Sequence, residues 1–542
     1  MATATAKPEV FTRKASGLVR VMSPFSAFVY NILTMGLIFP WTYLWAPGAL
    51  PGGKLVWGIL LAMVIEIPIA LVYVWLSTAL PRSGGDYVFQ SRVFGGGTAF
   101  TVVMSGYVIW ILQWVALSGW LLSYLGFAPL FLGLGATTGS AAMSGLGIWF
   151  TTSTGIIITS ILNAFVAALI LVSGFKNYVK FQTVMIVGTL LAFLTMLVVL
   201  FTANPAASMV RIDSFAQAIS GVENFVQTAI DASVAAGIDL NPPFSMMATL
   251  LVAPIAWTSL QWATYSAQQN GEIKNARSFQ SQMFIIVGSL IFTGILLAIL
   301  AWALENAVGT EFLYVAGAGY YSGVGESTIA GFWLWPNILA VALTASPLVV
   351  IIIGLGYILN SHQIVHNCYI GMTRVMVAMS LDRLLPEWVS KVDEKRHTPA
   401  NAHWVYFLAS IPVILVYNLW GAWYELTLGV TLACGYVFVI TCLAGALLPY
   451  RAKDVYEASP GAKYTLGGIP LVTILGALGF LLGSVMLVLF MFSPQLGLTS
   501  RLAYSVLFGV LAVSAVWYFL AKNMQKSKGI NVDYAFKEIP PE

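Results

Sequence analysis

Charged residues are scarce in this chain of 542 residues: Asp, Glu, Lys and Arg make up only 8% of it, against 59% hydrophobic residues. Soluble domains carry about 25% charged residues, so a soluble fold is excluded for most of the chain. The apolar residues are spread over the whole length, which indicates a polytopic membrane protein. No signal peptide is expected, because the first apolar run follows a polar segment and is long enough to span a bilayer.

Cysteine and metal-ligand clusters are nearly absent. Cys368, Cys434 and Cys442 lie in apolar segments without the spacing of a disulfide framework or a metal site. The sequence contains no GxxxxGK[ST] loop and no nucleophile–base pair. We therefore expect no enzyme, no ATP-driven pump, no cofactor and no metal. The net charge of +4 comes from short loops, so it does not indicate nucleic-acid binding.

What the chain has instead is a series of apolar runs of spanning length, which predicts an all-α fold with twelve transmembrane helices. We number these runs spans 1 to 12: 23–47, 54–80, 97–128, 152–174, 180–203, 246–267, 282–305, 348–376, 402–420, 424–448, 469–492 and 499–521. Their association with the lipid bilayer follows from their length.

The basic residues set the orientation of these spans. With the N-terminus inside and the loops alternating, 22 of the 25 Lys and Arg residues fall on the cytoplasmic side. Only Lys54, Arg211 and Arg501 remain outside. Since cytoplasmic loops carry an excess of Lys and Arg, both termini are predicted to be cytoplasmic, in the plasma membrane.

Two outer segments are long. Residues 204–245 contain one predicted helix, 214–230, and residues 306–346 contain an apolar piece, 331–345. A thirteenth span in that piece would place the five basic residues of 374–396 outside, against the charge rule. We therefore expect the piece to fold over the outer mouth.

Two spans carry helix-breaking residues. Thr34, Met35 and Gly36 are followed by Pro40 in span 1, and Pro254 precedes a polar cluster in span 6. In hydrocarbon, a broken helix is tolerated only where its backbone faces protein or a water-filled cavity. Gly and Pro are also common in membrane helices without such a role. A matched pair of breaks five spans apart, however, points to an inverted-repeat transporter.

This pattern gives the predicted domain organisation. The domains are a cytoplasmic segment 1–22, a five-helix repeat 23–203, an extracellular loop 204–245, a second inverted repeat 246–448, helices 11 and 12 at 469–521, and a cytoplasmic tail 522–542.

Three loop motifs carry a family resemblance. They are PRSGGDY within 79–97, NGEIKN within 270–278, and the run from Thr373 to Ala402 with DRLLPEW. In these motifs the chain resembles the amino acid–polyamine–organocation superfamily of transporters. The resemblance implies a LeuT-like five-plus-five fold, alternating access, and an amino acid or amine bound between helices 1, 3, 6, 8 and 10. The family's glycine-rich break in helix 1 is here Thr34-Met35-Gly36, a departure that leaves room for an unusual substrate.

The predicted substrate site combines helix ends and one aromatic face. Free carbonyls and amides at a break favour the two charges of a zwitterion. The candidates are Ile32, Thr34, Met35 and Gly36 in span 1, Trp110, Gln113, Trp114 and Leu117 in span 3, and Trp257, Thr258, Ser259 and Gln261 in span 6. By resemblance, Trp114 and Leu117 match positions that touch substrate and Trp257 matches a gating aromatic. A packing stripe is the alternative for the span 3 face.

Spans 3, 6 and 8 contain no acidic residue. A cationic substrate would need a desolvated carboxylate partner, so the sequence favours a neutral, apolar or aromatic amino acid as the substrate. The alternatives are an amine or polyamine carrier and, from another class, a membrane amino acid sensor or complex subunit. The sequence leaves the oligomeric state open.

The candidates for ion coupling lie in spans 2 and 8. Glu66 is an acid within a span and so a proton-relay hypothesis, with structural hydrogen bonding as the alternative. His362 and His366 share a helix face and could form a proton relay or line the pocket, since His as a residue type titrates near neutral pH, but structural hydrogen bonding is the favoured alternative. For Na⁺, Ser361 is the hydroxyl near mid-depth. We favour the hypothesis of H⁺ coupling through Glu66 over that of Na⁺ coupling.

Charged residues in the three loop motifs are predicted to form a cytoplasmic gate. They are Arg82, Asp86, Glu272, Lys274, Arg374 and Asp382. Solvated charges that only set the topology are the alternative. Surface pairs contribute about 0–1 kcal/mol each, so a gate needs several acting together.

Overall fold

A computed structural model describes residues 16–38, 40–420, 423–496 and 500–537, without the side chains of 423–432. The predicted terminal segments 1–22 and 522–542 therefore lie partly outside the described residues. Lys7, Arg13 and Lys14, which the charge count places inside, also lie outside them.

The described chain is helical almost throughout, and eleven of its helices are long and apolar enough to cross a membrane. These form spans 2 to 12: Leu55–Ala79, Gly96–Thr138, Ser153–Val172, Phe175–Thr202, Met246–Glu272, Phe279–Ser322, Pro347–Leu381, Ala400–Leu419, Trp423–Arg451, Leu471–Phe492 and Arg501–Ser527. Together with the broken span 1, they confirm an all-α polytopic membrane fold. We call the side at which span 1 begins the N-face, and the opposite side the far face.

Span 1 is interrupted where the sequence predicts it. Its first helix, Pro24–Met35, begins at Ser23, whose hydroxyl accepts the backbone N–H of Ser26 at 3.1 Å. The helix ends at Gly36, which adopts the left-handed conformation with φ 76°. A second helix, Thr42–Ala49, follows. Neither helix alone reaches the roughly 20 residues that a membrane span needs.

Span 6 differs from the prediction. The α-helix Met246–Leu260 runs through Pro254 without a break, and the backbone then continues as a 3-10 helix, Gln261–Glu272. The change begins where the sequence turns from apolar to polar after Leu260. Gln269, with φ −110° and ψ 27°, is the non-helical position within this segment. The break predicted near Trp257 and Thr258 therefore lies a few residues before the observed change.

Spans 1 and 6 lie side by side and run in opposite directions. The side chain of Asn31 donates to Ser266 Oγ at 3.1 Å and accepts the Ser266 backbone N–H at 2.9 Å. Near the N-face, the backbone of Met22 bonds to the Glu272 carbonyl and to the Lys274 amide. These bonds satisfy backbone groups that the irregular half of span 6 leaves outside an α-helix.

The long segments on the far face are compact. Residues 204–245 form two helices, Pro205–Ser220 and Phe225–Ala235, so the single helix predicted over 214–230 is wrong. Positive φ angles at Gly221 and Asn224 end the first helix and begin the second.

The apolar piece 331–345 is not a span. Its helix, Pro336–Ala342, has seven residues and is about 10 Å long, which cannot cross a bilayer. The prediction that it is no thirteenth span is confirmed. The remaining elements are the helices Gly85–Phe94, Ala141–Trp149 and Lys453–Glu457, the 3-10 turns Gly325–Ser327, Glu387–Ser390, Pro494–Leu496 and Val532–Lys537, and the hairpin Thr465–Leu466 with Ile469–Pro470.

Candidate functional site

The break in span 1 is held in place by span 8. Asn367 Nδ2 donates to Thr34 Oγ1 at 2.6 Å, and this hydroxyl donates to the Tyr30 carbonyl at 2.6 Å. Beyond Gly36, the Tyr357 hydroxyl donates to the Ile38 carbonyl. Two side chains of one long helix thus fix the peptide groups before and after the break.

A small cavity lies against this break, between spans 1, 3, 6 and 8. Its volume is about 20 Å³, room for about one water molecule. We call it the central cavity, and it is lined by Thr34, Ile111, Trp114, Trp262, Tyr265, Ile364, Asn367 and Cys368. None of these side chains carries a charge.

Aromatic rings form the wall of the central cavity opposite the break. Trp114 and Trp262 meet edge to face at 5.5 Å between ring centroids, and Trp262 meets Tyr265 at 5.4 Å. Tyr265 also stacks on Tyr30 at 6.1 Å. Such edge-to-face pairs stabilise by about 0.5–1.5 kcal/mol beyond their burial, so the rings support one another in this arrangement.

The rings also bring hydrogen-bond donors to the cavity wall. Trp114 Nε1, Trp262 Nε1 and the Tyr265 hydroxyl are buried and have no hydrogen-bond partner among the described residues. Buried polar groups are nearly always hydrogen-bonded, so three such atoms around one cavity are unusual. The wall therefore favours a solute that carries hydrogen-bond acceptors.

Two of the twelve predicted substrate residues line the central cavity, Thr34 and Trp114. Ile32, Met35 and Gly36 lie in or next to the break. In span 3, Trp110 and Leu117 are buried in the core, while Gln113 is half-buried. In span 6, Trp257, Thr258, Ser259 and Gln261 are buried outside the cavity lining, because the irregular backbone begins later than predicted.

Sequence reasoning missed Trp262 and Tyr265. The missed signal is the composition of residues 261–272, which combine two aromatic rings with a run of Gln, Ser, Thr and Asn inside a membrane span. The prediction relied on Pro254 to mark the break. A proline at depth is tolerated in membrane helices when neighbouring groups satisfy the freed carbonyl.

Glu66 is fully buried between spans 2 and 6, outside the cavity lining. Its Oε2 accepts the indole N–H of Trp257 at 2.6 Å, and its Oε1 has no hydrogen-bond partner within the described part of the chain. The carboxyl group is therefore tied to the α-helical half of span 6, five residues before Trp262.

Span 8 carries the remaining ion-coupling candidates, none of which is among the residues that line the central cavity. His362 Nδ1 contacts Asn163 Oδ1 at 2.6 Å, and His366 Nδ1 donates to the His362 carbonyl at 2.9 Å. Ser361 Oγ is buried without a hydrogen-bond partner among the residues described. No cluster of three or more His, Cys, Asp or Glu side chains suited to a metal occurs in the described ranges.

Among the six predicted gate residues, Glu272 and Arg374 form a buried ion pair on the N-face side of the cavity. The two bonds measure 2.6 Å and 2.9 Å, a bidentate geometry. Arg374 also lies 3.3 Å from His403 Nε2 and 4.9 Å from the Phe175 ring centre. We call this the N-face ion pair. It joins span 6 to span 8.

The other four gate residues have separate environments. Asp382 pairs with Arg92 at 3.3 Å and accepts the Tyr87 hydroxyl at 2.8 Å. The side chain of Lys274 is exposed, and Arg82 donates to the neighbouring Pro81 carbonyl. The described contacts therefore include one ion pair between two predicted gate residues, Glu272 and Arg374, and one between Asp382 and Arg92.

Asp86, the last of the six, is held by neutral groups. It is buried and accepts hydrogen bonds from Tyr73 of span 2, Gln268 of span 6 and Thr441 of span 10. Burial raises the pKa of Asp86 above its usual range, while the bonds from Thr441, Tyr73 and Gln268 act to lower the pKa. One carboxyl group thus connects three spans at the N-face.

A cluster of aromatic residues lies toward the far face, on the side opposite to the N-face ion pair. The far-face aromatic cluster consists of Trp41, Trp120, Tyr124, Tyr320, Trp333 and Trp335. Trp41, at the start of the second half of span 1, meets Trp335 at 5.1 Å. The Trp333 backbone N–H donates to the Tyr124 hydroxyl at 3.1 Å, which fastens the segment 325–346 to span 3. The far-face aromatic cluster and the N-face ion pair thus lie toward opposite faces of the membrane fold.

A family model described as amino acid permease matches residues 23–513, which include every predicted span except the end of span 12. The chain belongs to the amino acid permease family. Together with the eleven long apolar helices, the match describes this permease as a multi-pass membrane protein.

A stretch of 83 residues is 32% identical to "Uncharacterized protein 399" of Sulfolobus islandicus rod-shaped virus 1. That stretch covers 15% of the permease and 21% of the viral protein. The permease thus matches about a fifth of the length of this relative.

Proposed function

We propose that this permease carries a neutral, apolar or aromatic amino acid by proton-coupled alternating access. The observation that supports this most is the central cavity, which lies at the break of span 1 and has no ionised side chain in its lining. A dibasic amino acid or polyamine would leave a charge there without a desolvated partner.

The break supplies what a zwitterion requires. The last carbonyls of the helix Pro24–Met35 face an α-amino group, and the amides that follow Gly36 face an α-carboxylate. The Trp114 and Trp262 indoles and the Tyr265 hydroxyl are additional donors for the carboxylate oxygens. The substrate side chain then lies against Ile111, Ile364 and the rings.

The contacts on the two sides of the central cavity support alternating access. The N-face ion pair closes one route, and the far-face aromatic cluster closes the other. A cavity of about 20 Å³ is smaller than any amino acid, so the walls separate when the substrate enters from either side. In the proposed inverted repeat, spans 1–5 and 6–10 move against each other around the breaks in spans 1 and 6.

Glu66 is the proposed proton carrier. It is a buried carboxyl group, one oxygen of which has no hydrogen-bond partner among the described residues. Its other oxygen is bonded to Trp257 in span 6, the span that lines the cavity at Trp262. A proton on Glu66 changes the charge at this joint, which couples protonation to the position of span 6. A Na⁺ site would need hydroxyl and carbonyl ligands, for which Ser361 is the candidate.

The orientation rests on charge. The N-face carries the loops rich in Lys and Arg, so we place it in the cytoplasm, with the permease in the plasma membrane. The N-face ion pair is then the cytoplasmic gate.

The deciding experiment measures uptake by the purified permease in liposomes, with an imposed pH gradient and a panel of L-amino acids and amines. We expect accumulation of a neutral amino acid and none of lysine or a polyamine. Trp262→Ala should raise KM, whereas Trp333→Ala, outside the cavity, should change it less.

Three results would contradict the proposal. Binding without uptake would indicate a sensor, and uptake of cations would indicate an amine carrier. Accumulation driven by a Na⁺ gradient alone would exclude proton coupling.

A further inference from the structure

A second cavity opens toward the membrane on the side of span 8 that faces away from the central cavity. We call it the lateral groove, and its volume is about 530 Å³. Its walls come from spans 3, 4, 5 and 8, with Phe127, Leu162, Phe181 and Leu359 among them, and from Trp149 at the end of the helix Ala141–Trp149. Leu162 is 56% exposed, which is expected of a side chain that faces hydrocarbon.

The base of the lateral groove is polar. His362 and Asn163 both line it, and they are the two ends of a hydrogen bond of 2.6 Å between Nδ1 and Oδ1. Asn163 is the eleventh of the twenty residues of Ser153–Val172, close to the middle of the membrane. A polar pair at this depth, on a surface open to lipid, is costly unless its hydrogen-bonding groups are satisfied.

A chain of hydrogen bonds assigns the proton on His362. Ser118 Oγ donates to the Val115 carbonyl at 2.8 Å, so its lone pair accepts Asn163 Nδ2 at 3.3 Å. Asn163 therefore presents its oxygen to His362 Nδ1, which must carry the hydrogen. In neutral imidazole the other nitrogen, Nε2, is then a hydrogen-bond acceptor.

This acceptor has no hydrogen-bond partner among the described residues. Nδ1 of His362 is hydrogen-bonded to Asn163. The centroid of the His362 ring lies 6.0 Å from that of Phe181 and 4.6 Å from that of His366. Neither neighbour supplies a hydrogen to Nε2. No lining residue of the groove is an acid, Lys or Arg, and its polar side chains are His362, Asn163, Thr159 and the Trp149 indole. His362 Nε2 is thus an open acceptor in a mostly apolar lining.

We propose that the lateral groove binds an apolar molecule that carries one hydroxyl donor, a lipophilic alcohol or phenol dissolved in the bilayer. The apolar walls bury the body of the molecule, and its hydroxyl donates to His362 Nε2. Bilayer acyl chains fill such a groove without donating a hydrogen bond. Phospholipid head groups do not reach Asn163, which lies about 15 Å along the helix from its start.

Photolabelling of the full-length permease in liposomes tests this proposal. The probe is a phenol that bears a diazirine group, and the comparison compound is its methyl ether, which has a similar shape but no donor. Labelled peptides are identified by mass spectrometry as the probe concentration rises. We expect saturable labelling of peptides that contain Trp149, Leu162 or Leu359, with the ether about tenfold weaker, or about 1.4 kcal/mol.

Two variants locate the hydrogen bond. His362→Phe removes the acceptor and should reduce the ratio between phenol and ether to about one, whereas Leu359→Val alters only the apolar wall and should leave the ratio unchanged. The comparison of the two probes on the unaltered protein is decisive even where a variant fails to fold. Equal labelling by both probes, or labelling confined to other surfaces, would overturn the proposal and leave the groove as a place for acyl chains.

Discussion

The indole N–H of Trp257 donates to Glu66 Oε2 at 2.6 Å and ties span 2 to the α-helical half of span 6. Both side chains are fully buried. This bond occurs just before the helix changes to the 3-10 segment that carries Trp262. Gain or loss of a proton at Glu66 therefore acts on span 6, which also forms part of the wall of the central cavity.

Replacement of Glu66 tests its role in coupling. In Glu66→Gln the amide oxygen still accepts the Trp257 N–H, but no proton can be taken up or released. We expect uptake to lose its dependence on the pH gradient while exchange of internal for external amino acid persists. The companion variant Trp257→Phe keeps the carboxyl group but removes its bond to span 6, so it should weaken the response to the gradient as well. A pH profile that is the same in Glu66→Gln and in the unaltered permease would exclude Glu66 as the proton carrier.

Gly36 should tolerate no side chain. Its φ of 76° strains any other residue, by about 1–2 kcal/mol, and a side chain there projects from the break where substrate is proposed to bind. We expect Gly36→Val to abolish the thermal stabilisation by substrate, since only a ligand that binds the folded protein raises its apparent stability.

Gly139 provides the control for that substitution. It has a φ of 69° and no atom within 4 Å of an added Cβ, so Gly139→Val imposes similar backbone strain far from the cavity. This variant should retain full thermal stabilisation by substrate. Normal affinity in Gly36→Val would place the substrate site elsewhere.

The N-face ion pair should contribute strongly to stability when one partner is removed. Arg374→Met leaves Glu272 buried and uncompensated, which costs about 3–5 kcal/mol. Glu272→Gln in the same background should restore part of the loss. The free energy of unfolding of both single variants and the double variant measures the coupling.

The exposed pair of Lys453 and Glu457, at 3.7 Å, is the matched control. Lys453→Met should change the free energy of unfolding by less than about 1 kcal/mol. Equal effects of Arg374→Met and Lys453→Met would mean that the buried pair opens easily to water.

Asp86 should make the permease less stable as the pH rises. Its pKa is raised by burial above the ordinary value of about 4, so the folded state holds the proton more tightly than the unfolded chain. This contribution to stability is complete below the unfolded pKa and is lost as the pH rises through the folded pKa. We expect Asp86→Asn to remove that component from unfolding curves measured between pH 4 and pH 8.

Asp393 should make stability depend on pH with the opposite sign, and it serves as a control. The backbone N–H groups of Arg396 and Lys395 bond to its carboxylate at 2.8 Å and 2.9 Å and lower its pKa. Its contribution is present above the unfolded pKa and is lost as the pH falls through the folded pKa. Asp393→Asn should therefore flatten the acid side of the curve. Parallel curves for Asp86→Asn and the unaltered permease would show that Asp86 has the same pKa in both states.

Some features of the site depend on local chemistry and others on contacts between distant segments. The interruption of span 1 is local, since Gly36 and Pro40 disfavour a continuous helix in any surroundings. Pro254 suggests a similar break but lies in an intact helix. The change in span 6 occurs at Gln261 instead, where Asn31 of span 1 bonds to the irregular segment at Ser266. No pattern within span 6 alone reports that bond.

The apolar runs and the placement of Lys and Arg determined the helical membrane fold and its spans, because helix formation and burial in lipid depend on each segment separately. The tertiary structure alone decided which side chains meet: Trp262 rather than Trp257 in the central cavity, Arg374 with Glu272, and Asp382 with Arg92. These pairings join residues about a hundred or more positions apart. They depend on how helices pack and rotate against one another, which the order of residues in any single helix does not specify.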